Sequence, residues 1–174
     1  MKVSAVILLT AGLLFVSFGT IAKEQSKASD VFNQMKSLEG DWHKENTSQS
    51  KFSISFELTA NDTVLVETWL YNNKKHSLTV YHMNNDKLMA THYCPQGNQP
   101  RLQLTKNSTP HHLSFTFLDA TNLASLDNSH QHSLGFEFSD KKNKVLRKES
   151  YLSDSEEDLS ELVLVRSIDI NKSL

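Results

Sequence analysis

Phe52-Ser53-Ile54-Ser55-Phe56-Glu57-Leu58-Thr59 decides the fold class. Its apolar residues occupy every second position, the period of a β-strand that buries one face and wets the other. A helix would scatter Phe52, Ile54, Phe56 and Leu58 around its circumference. The same alternation begins near Trp42 and returns at 63–71, 76–83, 87–94, 99–106, 111–118, 132–139, 144–151 and 160–168. Between these runs lie Asn61-Asp62, Asn72-Asn73, Asn84-Asn85-Asp86, Asn107-Ser108 and 140–143, clusters that favour tight turns. Short turns predict up-and-down antiparallel order, and a sheet this long curls and closes, which removes its edges.

Upstream, Val31, Met35 and Leu38 recur at helical spacing with Phe32 beside them, so 27–38 reads as one helix capped by Ser26 or Ser29. The expected fold is therefore all-β: a closed up-and-down antiparallel barrel of about ten strands, preceded by one short N-terminal helix. A two-sheet sandwich is the alternative, but it normally needs longer crossovers. The exception to the short turns is the thirteen-residue connection from Asp119 to Gln131, the natural lid candidate.

The first residues carry the pattern of an export signal. Lys2 is followed by an apolar stretch to Gly19 and by Thr20-Ile21-Ala22, a small-x-small cleavage site. An uncleaved anchor is the rival reading, although Ser4, Thr10, Gly12, Ser17 and Gly19 dilute the stretch. The expected organisation is a signal peptide over 1–22 and a single domain over 23–174, exported to the periplasm or secreted, with no membrane span after cleavage. A net charge of −2 and a pI near 6.4, with no basic block, argue against nucleic acid as a partner. A single cysteine, Cys94, rules out an internal disulfide framework, so packing must supply the stability.

Thr91-His92-Tyr93-Cys94-Pro95-Gln96-Gly97-Asn98-Gln99-Pro100, followed by Arg101, concentrates more polar chemistry than a turn requires. The turn after Met83 sets which rings enter the barrel. A two-residue turn, the commoner kind, is expected to place Tyr93 inward with Leu78, Val80 and His82, leaving His92 outward. A three-residue turn would bring His92 and Cys94 inside. His132 shares parity with Leu134, Phe136 and Phe138 and is expected inward at the barrel mouth, with His130 on the same face.

A His-x-His pair on one strand face can chelate a metal, so His130 and His132 are candidate ligands, with a third histidine or Cys94 completing a zinc-like set. Haem held by one such histidine would be non-covalent, since no Cys-x-x-Cys-His motif occurs. An enzyme built on His92, Cys94 or His132 lacks an orienting third group. The run Asp154-Ser155-Glu156-Glu157-Asp158 reads as a solvated hairpin tip rather than a calcium loop.

Leu38-Glu39-Gly40-Asp41-Trp42 places Gly-x-Trp at the entrance to the first strand, and here the chain resembles the calycin group, the lipocalins and fatty-acid-binding proteins. The resemblance implies that Trp42 plugs the closed end of the barrel and packs against a cation from the last strand, for which Arg166 is the match, both in structural roles. A narrower resemblance rests on Tyr81-His82, Thr91-His92-Tyr93-Cys94, Gly97-Asn98-Gln99-Pro100, Asp119-Ala120-Thr121-Asn122 and His130-x-His132. It is to a family of exported bacterial calycin-like proteins without an established activity. Gln131 departs from it, standing where that pattern has methionine. Together these readings imply a small, partly apolar ligand in the barrel, with Tyr93, Asn98, Gln99, Arg101, Asn122 and His132 as candidate contacts.

Overall fold

The computed structural model describes residues 21–47, 51–139, 141 and 143–167, with side chains from Ala28 onward. The signal expected over 1–22 lies outside them except for Ile21 and Ala22, as do Asp140 and Ile168. One helix, α1 (Ile21–Lys36), precedes ten strands: β1 (Gly40–Lys44), β2 (Phe52–Thr59), β3 (Val64–Tyr71), β4 (Lys74–Asn84), β5 (Lys87–Tyr93), β6 (Gln99–Leu104), β7 (His112–Thr121), β8 (His130–Phe138), β9 (Lys144–Ser153) and β10 (Glu156–Arg166). Each strand pairs antiparallel with the next, and β1 also pairs with β10, so the sheet closes. The expected ten-strand barrel with one N-terminal helix is the fold.

Turn chemistry fixes the registers. Asn72 and Asn73 both take positive φ, at 49° and 62°, which joins β3 to β4 by a two-residue hairpin. Asp154 and Ser155 do the same between β9 and β10, at 49° and 65°. Such turns match the natural twist of paired strands, and asparagine and aspartate tolerate the left-handed conformation. The acidic run is therefore split: its first two residues make the tip, and Glu156 to Asp158 belong to β10.

α1 lays Val31, Phe32 and Met35 into the core, where with Leu38 in the following turn they meet Trp42 near one end of the barrel. The helix stops when Ser37 and Leu38 bond back to the Gln34 and Met35 carbonyls, 3.0 and 2.9 Å away. Gly40 turns the chain into β1 at φ +119°, and a Cβ there would come within 2.8 Å of an Arg166 guanidinium nitrogen. Glycine is thus favoured at that point by conformation, and a Cβ would also displace the guanidinium tip. The Arg166 guanidinium lies 4.4 Å from the Trp42 ring centroid, and it donates to the Ser37 carbonyl at 2.6 Å and to the Glu39 carbonyl. Trp42 Nε1 donates to the Leu38 carbonyl at 2.6 Å, so one arginine and one indole tie the last strand to the helix end.

Above this floor the middle of the barrel is filled by Phe56, Leu65, Tyr81, Phe115, Leu134 and Phe136, all essentially without solvent contact. Two expectations need correction. The turn after Met83 is the two-residue one, since Asn84 pairs with Lys87. The inward face of β4, however, carries Thr79 and Tyr81 rather than Leu78, Val80 and His82. His92, opposite Thr79, is therefore buried, and Tyr93 is 48% exposed. The connection expected over 119–131 is shorter, because β7 runs to Thr121 and β8 begins at His130.

Candidate functional site

The barrel half away from α1 holds a buried polar cluster that no single motif announces. Leu65, Glu67 and Trp69 alternate along one face of β3, so Glu67 points into the barrel with no exposed surface. Across the interior, the same period on β9 turns Arg147 inward beside Val145, with Glu149 and Tyr151 following on that face. Glu67 accepts from Trp69 Nε1 at 2.7 Å and from Arg147 Nε at 2.8 Å on one oxygen, and from the Tyr81 hydroxyl on the other. Arg147 also reaches Glu149 Oε2 at 3.0 Å and lies 4.9 Å from the Trp69 ring centroid.

Gln131 donates to the same Glu149 oxygen at 2.9 Å. A β-bulge between Gln131 and Ser133 makes this possible, because the extra residue in β8 resets the alternation at its start.

Electrostatics follow from this packing. Burial alone pulls the Arg147 guanidinium down, but Glu67 and Glu149 more than offset it, and the side chain stays a cation. Burial pushes Glu149 up, and the stronger combined pull of Arg147 and Gln131 holds its carboxyl below the usual range. Tyr81 is driven well above an ordinary phenol by burial and then by Glu67. Two carboxylates therefore face one guanidinium in a water-poor interior. Arg147 Nη2 and Gln131 Oε1 are buried without a hydrogen-bond partner among the described residues.

Next to this cluster, His92 is held between the Thr79 hydroxyl at Nδ1, 2.9 Å, and the Tyr151 hydroxyl at Nε2, 3.2 Å. Burial, and then the Arg147 charge, lowers its pKa to about 4, so the ring is neutral at ordinary pH. Burial raises the Cys94 thiol, which makes it a poorer nucleophile than a free cysteine.

The cluster opens to the outside through the barrel wall. β1 pairs with β10 only over Trp42–Lys44 and with β2 only over Gly40–His43, whereas β10 reaches back to Glu156 and β2 begins at Phe52. Between β2 and β10 a cleft of about 460 Å³ is left, lined by Trp42, Phe52, Ile54, Trp69, Leu162 and Leu164, with Arg147 and Glu149 among its walls and Lys44 and Glu161 beside them. That volume suits a small organic molecule, and its mainly apolar lining with a few polar groups is the usual make-up of a binding site. Depressions of about 410 and 440 Å³ also occur, one along the outer face of β7 to β10 and one beside Arg166.

The residues expected as ligand contacts, Tyr93, Asn98, Gln99, Arg101, Asn122 and His132, do not line this cleft. Asn98, Gln99 and Asn122 come together, but they lace two loops to each other. Asn98 Nδ2 donates to the Ser129 carbonyl at 2.9 Å, and Gln99 and Asn122 both donate to the Gly97 carbonyl, at 2.8 and 2.7 Å. Gly97, at φ +92°, makes the tight reversal. Arg101 pairs with Asp119 on the outer surface, both about half exposed, and Tyr93 is also on the outside. His130 and His132 flank Phe117, with centroids 4.5 and 6.0 Å from it and 5.8 Å from each other. His130 Nδ1 faces the Asn128 carbonyl at 2.8 Å, and His132 Nδ1 is buried without a partner among the described residues. Among the described residues no three His, Cys, Asp or Glu side chains converge as a metal set.

Sequence reasoning passed over Glu67, Trp69, Gln131, Arg147 and Glu149. The available signal was charge at inward parity: Leu65-x-Glu67-x-Trp69 and Val145-x-Arg147-x-Glu149 each place ionisable groups on a face shared with apolar residues. The chain matches no family model, and a search of curated proteins returns no match.

Proposed function

We propose that this protein is an exported binder of a small, partly apolar molecule, held in the cleft between β2 and β10. One observation carries the reading: an aromatic and aliphatic cleft opens through the barrel wall onto a buried, ion-paired arginine whose Nη2 has no hydrogen-bond partner among the described residues. A desolvated charge cluster costs stability relative to an apolar core of the same volume, which is reasonable where the cluster meets a ligand. Trp42, Phe52, Ile54, Trp69 and Leu162 contact the body of the molecule, and Arg147 and Glu149 address its polar group. The closed antiparallel barrel is consistent with the calycin group, whose resemblance supports the same reading, as does the likeness to the exported bacterial family. Export itself rests on the pattern of residues 1–22 and is tested by sequencing the N-terminus of the protein recovered outside the cytoplasm, which should begin near Lys23.

Native mass spectrometry of the mature protein, recovered without denaturation, is expected to show a bound species that denaturation releases. The chain has two tryptophans, Trp42 and Trp69, and both line the cleft. Occupancy is therefore expected to shift intrinsic fluorescence. A protein that carries nothing and whose fluorescence no apolar probe moves would remove this reading.

A further inference from the structure

The polar end of the cleft is unbalanced in charge. Glu67 and Glu149 oppose Arg147 alone, and the neighbouring polar groups, His92, Gln131, Tyr81 and Tyr151, add no positive charge. At the rim, beside His43, Lys44 and Glu161 contribute one charge of each sign, and Lys148, 3.2 Å from Glu161, is balanced in turn by Glu137 at 2.6 Å. An incoming carboxylate would meet a surplus of negative charge where screening by water is weakest. The hydrogen-bonding capacity is nonetheless real and two-sided. Arg147 Nη2 is a buried donor without a partner among the described residues, and the contacts that Glu149 receives from Arg147 and Gln131 both converge on Oε2. A group that accepts from Arg147 and donates to the Glu149 carboxylate satisfies both without adding charge.

Resting on the binding function proposed above, we infer that the cleft selects an uncharged head group that both donates and accepts, a hydroxyl or a primary carboxamide on an apolar body, and discriminates against carboxylates. Arginine in an apolar cavity ordinarily suggests an anion. Here its charge is already neutralised, and what remains is one N–H and an excess of carboxylate.

The test is a matched series of 1-octanol, octanamide and octanoate titrated into the mature protein at neutral pH, read by tryptophan fluorescence and confirmed by calorimetry. The amide and the alcohol are expected to bind at least about tenfold more tightly than octanoate, a difference of about 1.4 kcal/mol. Glu149→Gln removes one negative charge while keeping the shape, and it is expected to narrow the gap by a similar factor, with folding checked by thermal melting. If that variant does not fold, the wild-type ranking alone decides. Octanoate binding as tightly as octanamide, or an unchanged gap in folded Glu149→Gln, would overturn the inference while leaving the binding function standing. Failure of all three probes, on a protein that also carries no ligand in native mass spectrometry, would sink the binding function and the inference with it. If a resident ligand is found instead, an anionic head group on it counts as refutation.

Discussion

Glu67 Oε1 and Arg147 Nε meet at 2.8 Å with both side chains sealed from solvent, one from β3 and one from β9. The pair spans the barrel interior, and its desolvation must be offset by its own contacts with Trp69, Tyr81 and Glu149. Arg147→Met is expected to destabilise the protein by about 3–5 kcal/mol, because it leaves two buried carboxylates without their cation. Glu67→Gln should cost less, and the double variant less than the sum of the singles, since each change removes part of the other's penalty. Urea unfolding of the four proteins measures the coupling. Strictly additive losses would mean that the two groups do not depend on each other.

At the opposite end, Arg166 covers Trp42 and donates to two carbonyls at the helix terminus. Arg166→Ala is expected to cost about 1–3 kcal/mol through the lost cation–π contact and orphaned carbonyls. Arg166→Lys should recover little, because an ammonium cannot hold two carbonyls in the guanidinium geometry. Gly40→Ala should also destabilise, by about 1–3 kcal/mol from its positive φ. Part of its penalty, the contact with the guanidinium, should vanish in an Arg166→Ala background. Thermal melts of these four variants check the ordering.

The architecture was readable because period-two alternation and asparagine turns repeat through the chain, and both act locally. Trp42 and Arg166 were found through the resemblance of Gly-x-Trp and the last-strand arginine to the calycin group. Facing was harder. In β4, Leu78 and Val80 look like an inward face, yet the buried set is Thr79 and Tyr81, because Tyr81 carries its hydroxyl to a carboxylate on another strand. That partner is 14 residues away, and strand alternation cannot reveal it. The Asn98 segment drew notice for its density of amides, which serve the loops. Glu67, Arg147 and Glu149 drew none, because each alone resembles an ordinary surface charge in a strand.

His92 gives the fold a pH dependence with a definite sign. Its folded pKa of about 4 lies below the ordinary 6.5, so between these values the unfolded chain binds the additional proton. Stability from this group is fully present above pH 6.5 and is lost as pH falls through the window toward 4, by about 3 kcal/mol at most. Glu149, whose pKa is lowered, works in the same direction at the acid end. His92→Gln should therefore be less stable than wild type at pH 7.5 and lose less on going to pH 4.5. Urea midpoints at the two pH values test this, and parallel losses in both proteins would remove His92 as the cause.

The rim loops permit a test that separates a structural role from a ligand-contacting one. Asn98 is 5% exposed, and its Nδ2 holds the Ser129 carbonyl, while its own backbone carbonyl accepts from the Cys94 N–H at 3.1 Å. Asn98→Ala keeps the backbone bond and breaks the side-chain one, which should cost about 1–2 kcal/mol and speed amide exchange across 122–129. Asn98→Asp should be worse than Ala, since it sets a carboxylate against the Ser129 carbonyl. Because the cleft between β2 and β10 is lined by neither loop, octanamide affinity in Asn98→Ala and Asn122→Ala is expected to stay within about twofold of wild type, under 0.5 kcal/mol. A tenfold loss of affinity in a variant whose Tm is unchanged would move the binding site from the wall of the barrel to its rim.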